Sequence, residues 1–437
     1  MEEVNKSKEI NRGYIDYLRA TNTIQTPNVD LPERRRTRLD ELRETLRRPT
    51  ILISVTWREF IVKYMRLLAL IAAASAVLMF LRISARKRGG EMGTLHVEAL
   101  KNVDIYVEQY PFQLYALICK SFETAFLQKQ IREVATNSSK IVELAIGDGT
   151  LSQRIYPEGF MIVGVDVSPF SLRFPAMMSH VKQAVVSDCL DPALASGRFD
   201  LLVANNFLHH VTEKAPTLDH IARIAGTSIF NENTTYWAAA WPRPFLLRRL
   251  GFTTAAKKAA DAIAANFLQD LKTQDEINGL VQERFVVRAS EAYLCEVTFF
   301  LCGIFSRLMG VYGPPSPAYM KQFLKIPFLR TIILSRTRAL AAALIRFDSY
   351  QDKSRAVFLS YCCQSKKFEK KSPTSDFICA ICGAGLPADF RCPACKTSFP
   401  SADNMTFILP SELQFIYENY VASNKQVYAS ESLSQHH

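Results

Sequence analysis

The sequence predicts an α/β fold built on a parallel sheet, with an apolar helix before it and a small cysteine module after it. Three observations carry this expectation. From about residue 95 to 365, short runs rich in Val, Ile and Phe alternate with helix-like stretches. One run leads into a glycine loop, and the next run closes on an acidic residue, Asp166. Two CxxC pairs stand near the end of the chain.

With 437 residues, 48% hydrophobic and 22% charged, the chain has room for two or three folded units and is not disordered throughout. The net charge is +11, and residues 1–90 hold 18 Lys+Arg against 10 Asp+Glu, so +8 of it lies in the first fifth. The remaining 347 residues carry only +3. That localisation favours a basic arm beside a membrane or polyanion over a surface that coats nucleic acid everywhere. Of the ten cysteines, four form the CxxC pairs and six are scattered among mostly apolar neighbours, which favours a reducing compartment. The first 30 residues lack an apolar core, so no signal peptide is expected.

In chain order, residues 1–50 form a basic polar arm in which Leu39, Leu42 and Leu46 mark a short amphipathic helix after Pro32. Residues 51–90 read as a membrane anchor segment, because Leu67 to Leu81 is uncharged and stands between Arg66 and Arg82. Its length is at the lower limit for a span, since about 20 residues cross the hydrocarbon core. A buried core helix, an in-plane helix, or a hairpin with Ile51 to Val55 compete with that reading. A single pass would leave the following domain, 95–365, facing the cytosol.

Strands are expected at 139–145, 160–166, 183–188, 199–205, 227–232 and 356–363. Ser168 and Pro169 open one intervening helix, and Leu218, Ile221 and Ile224 line one face of another. The stretch 240–350 reads as a helical insertion on the substrate side. A charged linker leads to the cysteine module, 372–412, and then to a polar tail, 413–437.

In IVELAIGDGTL, residues 141–151, Gly147 and Gly149 follow a buried strand and precede a helix. Glycines there let the chain turn sharply and let a ligand reach main-chain amides. Asp166 closes the next strand 23 positions after Glu143, where a carboxylate can accept both ribose hydroxyls. With VVSDC and FDLLVANNFLHHV following, the chain over 95–365 resembles the class I S-adenosylmethionine-dependent methyltransferases. A nicotinamide-dependent dehydrogenase shares the βαβ start and is the chief competitor.

The resemblance implies a Rossmann-like sheet and S-adenosylmethionine as cofactor. It places Glu143 and the loop of Ala145, Gly147 and Gly149 at the methionine end, Asp166 at the ribose, Asp188 and Cys189 at the adenine, and Asn205 at the sulfonium side. Ala145 stands where the family loop carries its first glycine. His209 and His210 are weak candidates for a catalytic role, since methyl transfer needs mainly in-line alignment.

Cys379, Cys382, Cys392 and Cys395 form two knuckles nine residues apart, a spacing suited to one tetrahedral, structural Zn2+. Over about 35 residues this module looks like the zinc ribbons that accompany RNA and protein methyltransferases. The leading reading is thus a membrane-associated S-adenosylmethionine-dependent methyltransferase acting on a lipophilic or membrane-presented small molecule. An RNA methyltransferase holding nucleic acid with the ribbon and arm is the alternative, and a non-catalytic methyltransferase-like membrane scaffold is the third.

Overall fold

The computed structural model describes residues 92–434 apart from 112, 148, 150, 157–159, 178–180, 212, 267–268, 309–323 and 371–374. The basic arm, 1–50, and the expected anchor segment, 51–90, lie outside the described residues. Among the described residues no helix is long and apolar enough to cross a membrane.

Two helices come first, α1 (Thr94–Tyr106) and α2 (Leu114–Val134). The alternation follows: β1 (Lys140–Leu144), α3 (Ser152–Ile155), β2 (Met161–Asp166), α4 (Pro169–Met177), β3 (Gln183–Val186), β4 (Phe199–Asn205), α5 (Lys214–Ile224) and β5 (Ala225–Asn233). The start of α4 is set as expected, with the Ser171 amide donating to the Ser168 hydroxyl at 3.4 Å. Along α5 the stripe Leu218, Ile221 and Ile224 is buried.

The five strands pair in parallel in the order β5-β4-β1-β2-β3. The order reverses at β1, so a crevice opens beyond the carboxyl ends of β1 and β4, where ligands of such sheets bind. Every predicted cofactor residue lies at or just after the carboxyl end of one of these strands.

After β5 come α6 (Tyr236–Ala239), α7 (Pro242–Arg249), α8 (Thr253–Asn266), α9 (Gln274–Arg284), β6 (Phe285–Cys295), α10 (Glu296–Leu308), α11 (Pro327–Ser349) and β7 (Ala356–Ser365). Thr273 and Glu276 form a reciprocal capping box at the start of α9. β7 runs antiparallel between β5 and β6. The expected helical insertion over 240–350 is therefore corrected at 285–295, which is a strand. Among the described residues β6 pairs only with β7, and its Val286, Arg288 and Ser290 are exposed, so the segment lacks the continuous apolar run of the interior strands.

Two apolar layers cover the sheet. One joins α1, α2, α4, α10 and α11 to Ile141, Leu201, Val203 and Ile229. The other joins α5 and α9 to the alternate strand residues Val142, Leu144, Leu202 and Phe230.

The cysteine module belongs to this second layer. The connection from β3 to β4 contains no helix. Phe377, Leu386 and Phe399 pack against Val142, Val165 and Val185 instead. Leu194 bridges to Phe377, and the Ala195 and Ile378 amides exchange hydrogen bonds with Asp376 O (2.9 Å) and Ala193 O (3.1 Å). Lys140 (3.0 Å) and Arg198 both hold the Asp376 carboxylate.

The chain then adds β8 (Ser401–Ala402) and β9 (Met405–Phe407), and β9 pairs in parallel with β3, extending the main sheet to nine strands. The cysteine module expected at 372–412 is thus packed into the main core. The expected polar tail at 413–437 is corrected: α12 (Phe415–Ser434) buries Ile416 and Tyr420, and Tyr420 meets Phe170 of α4 edge-on at 5.2 Å.

Candidate active site

The loop after β1 is built from three residues in the left-handed region: Ala145 (φ 55°), Gly147 (φ 60°) and Gly149 (φ 65°). A Cβ on Gly147 would meet nothing within 4 Å, so the space above it is open to a ligand. A Cβ on Gly149 would come within 2.7 Å of Pro175 Cβ, so glycine there lets the loop press against α4. Ala145 supplies a side chain where φ disfavours one. Ala145→Gly is expected to stabilise the fold by about 0.5–1 kcal/mol, since relief of the left-handed cost outweighs the added chain entropy. The chemical denaturation midpoint measures this.

Asp166 reaches back under the loop. Its Oδ2 accepts from the Gly147 amide and its Oδ1 from the Ser168 amide, both at 2.8 Å. The expectation of a carboxylate kept for ribose hydroxyls is modified: it also clamps the loop to β2. Burial pushes its pKa up and these amides oppose the rise. Glu143, on β1, is buried and accepts from the Ser152 hydroxyl at 2.7 Å. Burial raises its carboxyl to about 7, against the Ser152 hydrogen bond and the charge of Lys120.

Asp188 follows β3 and accepts from the Leu190 amide at 2.9 Å, closing a local turn. Burial raises its carboxyl to about 6. Cys189 is buried, and burial together with the neighbouring Asp166 and Asp188 carboxylates pushes its thiol well above the usual range. Asn205 ends β4 and accepts from Asn231 Nδ2 at 2.9 Å.

The histidines are differently placed. His209 is buried with Nδ1 3.0 Å from Glu232 Oε2, and it lines a small cavity with Leu218 and Ile277 in the layer of α5 and α9. Glu232 also accepts from the Phe207, Leu208 and His209 amides (3.2, 2.7 and 3.0 Å), so this pair fixes the turn after β4. His210 is exposed and its ring lies 4.3 Å from that of His209.

Sequence reasoning missed a second charged pair at this edge. Glu123 of α2 is buried, accepts from Asn206 Nδ2 at 2.8 Å, and accepts from Lys120 Nζ at 2.8 Å. Asn206 itself has φ 55°. The sequence signal was Lys120 and Glu123, three residues apart within the mostly apolar stretch Leu114–Leu127 of α2.

The four sulfurs of Cys379, Cys382, Cys392 and Cys395 lie within 4.8 Å of one another. Cys379–Cys395 is 3.6 Å and Cys382–Cys392 is 3.4 Å, far longer than the ~2.05 Å of a disulfide and near the ~3.8 Å edge of a tetrahedron with ~2.3 Å metal–sulfur bonds. The Ile381 amide points at Cys379 Sγ (3.4 Å) and the Cys395 amide at Cys392 Sγ (3.5 Å), as thiolates require. This donor set fits one zinc ion with no open position.

A family model described as "Methyltransferase domain" matches residues 142–226, from β1 through the start of β5. Residues 142–226 carry a methyltransferase domain. The match covers the glycine loop, Asp166, Asp188, Cys189 and Asn205. Similar solved structures include a geranyl diphosphate C-methyltransferase from Streptomyces coelicolor A3(2) (14% identity, 59% of this chain and 85% of that one, TM-score 0.36). Others are a putative sarcosine dimethylglycine methyltransferase from Galdieria sulphuraria (10%, 56% and 87%, TM-score 0.36) and an S-adenosylmethionine-dependent methyltransferase from Mesorhizobium loti (17%, 55% and 95%, TM-score 0.33). At these TM-scores their acceptors carry no inference for this methyltransferase. No curated protein sequence matches the chain.

Proposed function

We propose that this methyltransferase acts on a lipophilic or membrane-presented small molecule. One observation carries the acceptor class: an aromatic cluster follows the carboxyl ends of β5 and β6, with Trp237 and Phe299 buried and Tyr115 and Trp241 partly exposed beside them. Tyr115 meets Phe299 edge-on at 4.9 Å, Trp237 Nε1 donates to the Tyr115 hydroxyl at 3.1 Å, and Trp237 lies 5.7 Å from Trp241. Such rings bury an apolar acceptor with little ordering cost.

S-adenosylmethionine supplies an electrophilic methyl group. The open face above Gly147 and the two-strand clamp of Asp166 fit its ribose and methionine, with Glu143 toward the methionine ammonium, Asp188 and Cys189 toward the adenine, and Asn205 toward the sulfonium side. What the chain contributes is alignment and exclusion of water. Cys379, Cys382, Cys392 and Cys395 hold one structural zinc. The N-terminal 51–90 segment anchors the chain to a membrane with the catalytic domain on the cytosolic side.

The test is incubation of the full chain with labelled S-adenosylmethionine and separate lipid, polar small-molecule and RNA extracts. Label in the lipid fraction is expected. Label confined to RNA would establish the nucleic-acid alternative, and no label in any fraction would favour the scaffold.

Glu143 gives a pH signature. Its folded pKa of about 7 exceeds the ordinary 4.5, so ionisation costs stability as pH rises between those values. A ligand ammonium favours the ionised form, so cofactor affinity should rise with pH toward 7 and fall by up to about tenfold per unit below it. Titrations at several pH values check this, and Glu143→Gln should flatten the profile.

A further inference from the structure

We propose that the corner between α7 and α8, with the start of α11, is a docking face for an anionic phospholipid bilayer. This rests on the membrane reading above and assigns the surface that meets the lipid. Three large apolar side chains stand in solvent within seven residues: Leu246 (47% exposed), Leu250 (70%) and Phe252 (59%). Interspersed with them are exposed cations, Arg243, Arg249, Lys257 and Lys258. Residues 234–260 contain no Asp or Glu, and although Lys257 pairs with Asp261 at 3.2 Å and Arg249 lies 4.0 Å from Glu296, the corner stays net positive with Arg243, Arg248 and Lys258. Apolar tips among basic residues match the boundary between acyl chains and anionic headgroups.

The start of α11 offers a smaller patch, with Ile326 (46% exposed) and Phe328 (71%) beside Lys325 and beside Arg330, which pairs with Glu108 at 3.0 Å. Each patch stands on a helix that packs on α10, which carries Phe299. Phe245 of α7 stacks on Phe300 at 4.1 Å, and its neighbour Phe299 meets Tyr115. Thr337 of α11 donates to Pro111 O at 2.8 Å, just before α2 begins at Leu114. Seating the corner on a bilayer would bring α7, and α10 behind it with Phe299, toward the lipid.

The experiment is acyl-chain quenching on the full chain. Leu250→Trp is 70% exposed and should fold normally. Its emission, less that of the parent chain with Trp57, Trp237 and Trp241, is followed with vesicles of brominated phosphatidylcholine, with and without phosphatidylserine. The added tryptophan should be quenched in the anionic vesicles and much less in the zwitterionic ones. Adding Arg249→Gln and Lys258→Gln should weaken that quenching, since each cation contributes about fivefold to partitioning. If the chain floats with both vesicles while the added tryptophan is unquenched, the membrane reading stands and this face is wrong. If the chain floats with neither, both fall. Emission already blue-shifted without lipid would mean another part of the chain, or a second copy, covers the corner, which also overturns the proposal. Equal quenching in both vesicles, indifferent to the glutamines, would overturn the anionic preference.

Discussion

A chain ending at residue 370 is expected to fail to fold rather than to lose an appendage. The removed part carries Phe377, Leu386 and Phe399 from under the sheet, the strand β9 with Met405 and Phe407, and Ile416 and Tyr420 of α12, all buried. At about 1.5–3 kcal/mol for each large apolar side chain, the loss of these seven is about 10–20 kcal/mol, as large as the roughly 5–15 kcal/mol that holds a domain together. It also exposes the edge of β3 and the apolar face that the missing β3–β4 helix leaves to the ribbon. If the four sulfurs hold the proposed zinc, chelation or Cys392→Ser should act in the same direction, because the metal would fix the knuckles that carry Phe377 and Leu386. Near-ultraviolet circular dichroism with a thermal scan is the check. A truncated chain that is soluble and melts cooperatively would show that the sheet stands without the ribbon.

Asp348→Ala should be the most damaging single substitution away from the crevice, at about 3–5 kcal/mol. The carboxylate, at the end of α11, is wholly buried. It accepts from the Leu294 and Cys295 amides (3.0 and 2.6 Å) and from Lys353 Nζ (3.0 Å), and His96 Nε2 of α1 lies 3.2 Å away. Leu294 sits at φ 54°, so the carboxylate pins a strained end of β6 while joining α1 to α11. Burial alone would raise its pKa, yet the His96 hydrogen bond and the Lys353 charge hold it well below the usual carboxylate range. Its stabilisation is therefore present at neutral pH and lost only as strongly acid pH protonates it. Denaturant midpoints for Asp348→Ala and Asp348→Asn check this, with the amide expected to lose less because it keeps the shape.

The interior strands were legible because parallel strands covered on both faces must be continuously apolar, as in FDLLVAN over 199–205. The loop was legible because glycine is needed where φ turns positive. That Ala145 also takes φ 55° was not, since alanine gives no sign of strain. β6 hid behind the polar alternation of an edge strand, and β9 is only three residues long. The cysteine spacing announced a metal but not a neighbour: Phe377, Leu386 and Phe399 are too few among glycines and prolines to suggest that they line the main core. Glu232 and Glu123 act on partners more than 20 residues away, a relation that no local pattern encodes.

The most direct test of the cofactor site is calorimetric titration of S-adenosylmethionine into the full chain and into Asp166→Ala. One site per chain is expected. The variant should bind about ten- to a hundredfold more weakly, reflecting roughly 1.5–3 kcal/mol for a carboxylate bound to buried hydroxyls and to the Gly147 amide. Unchanged affinity in the variant, or no heat of binding in the parent chain, would contradict the site as drawn.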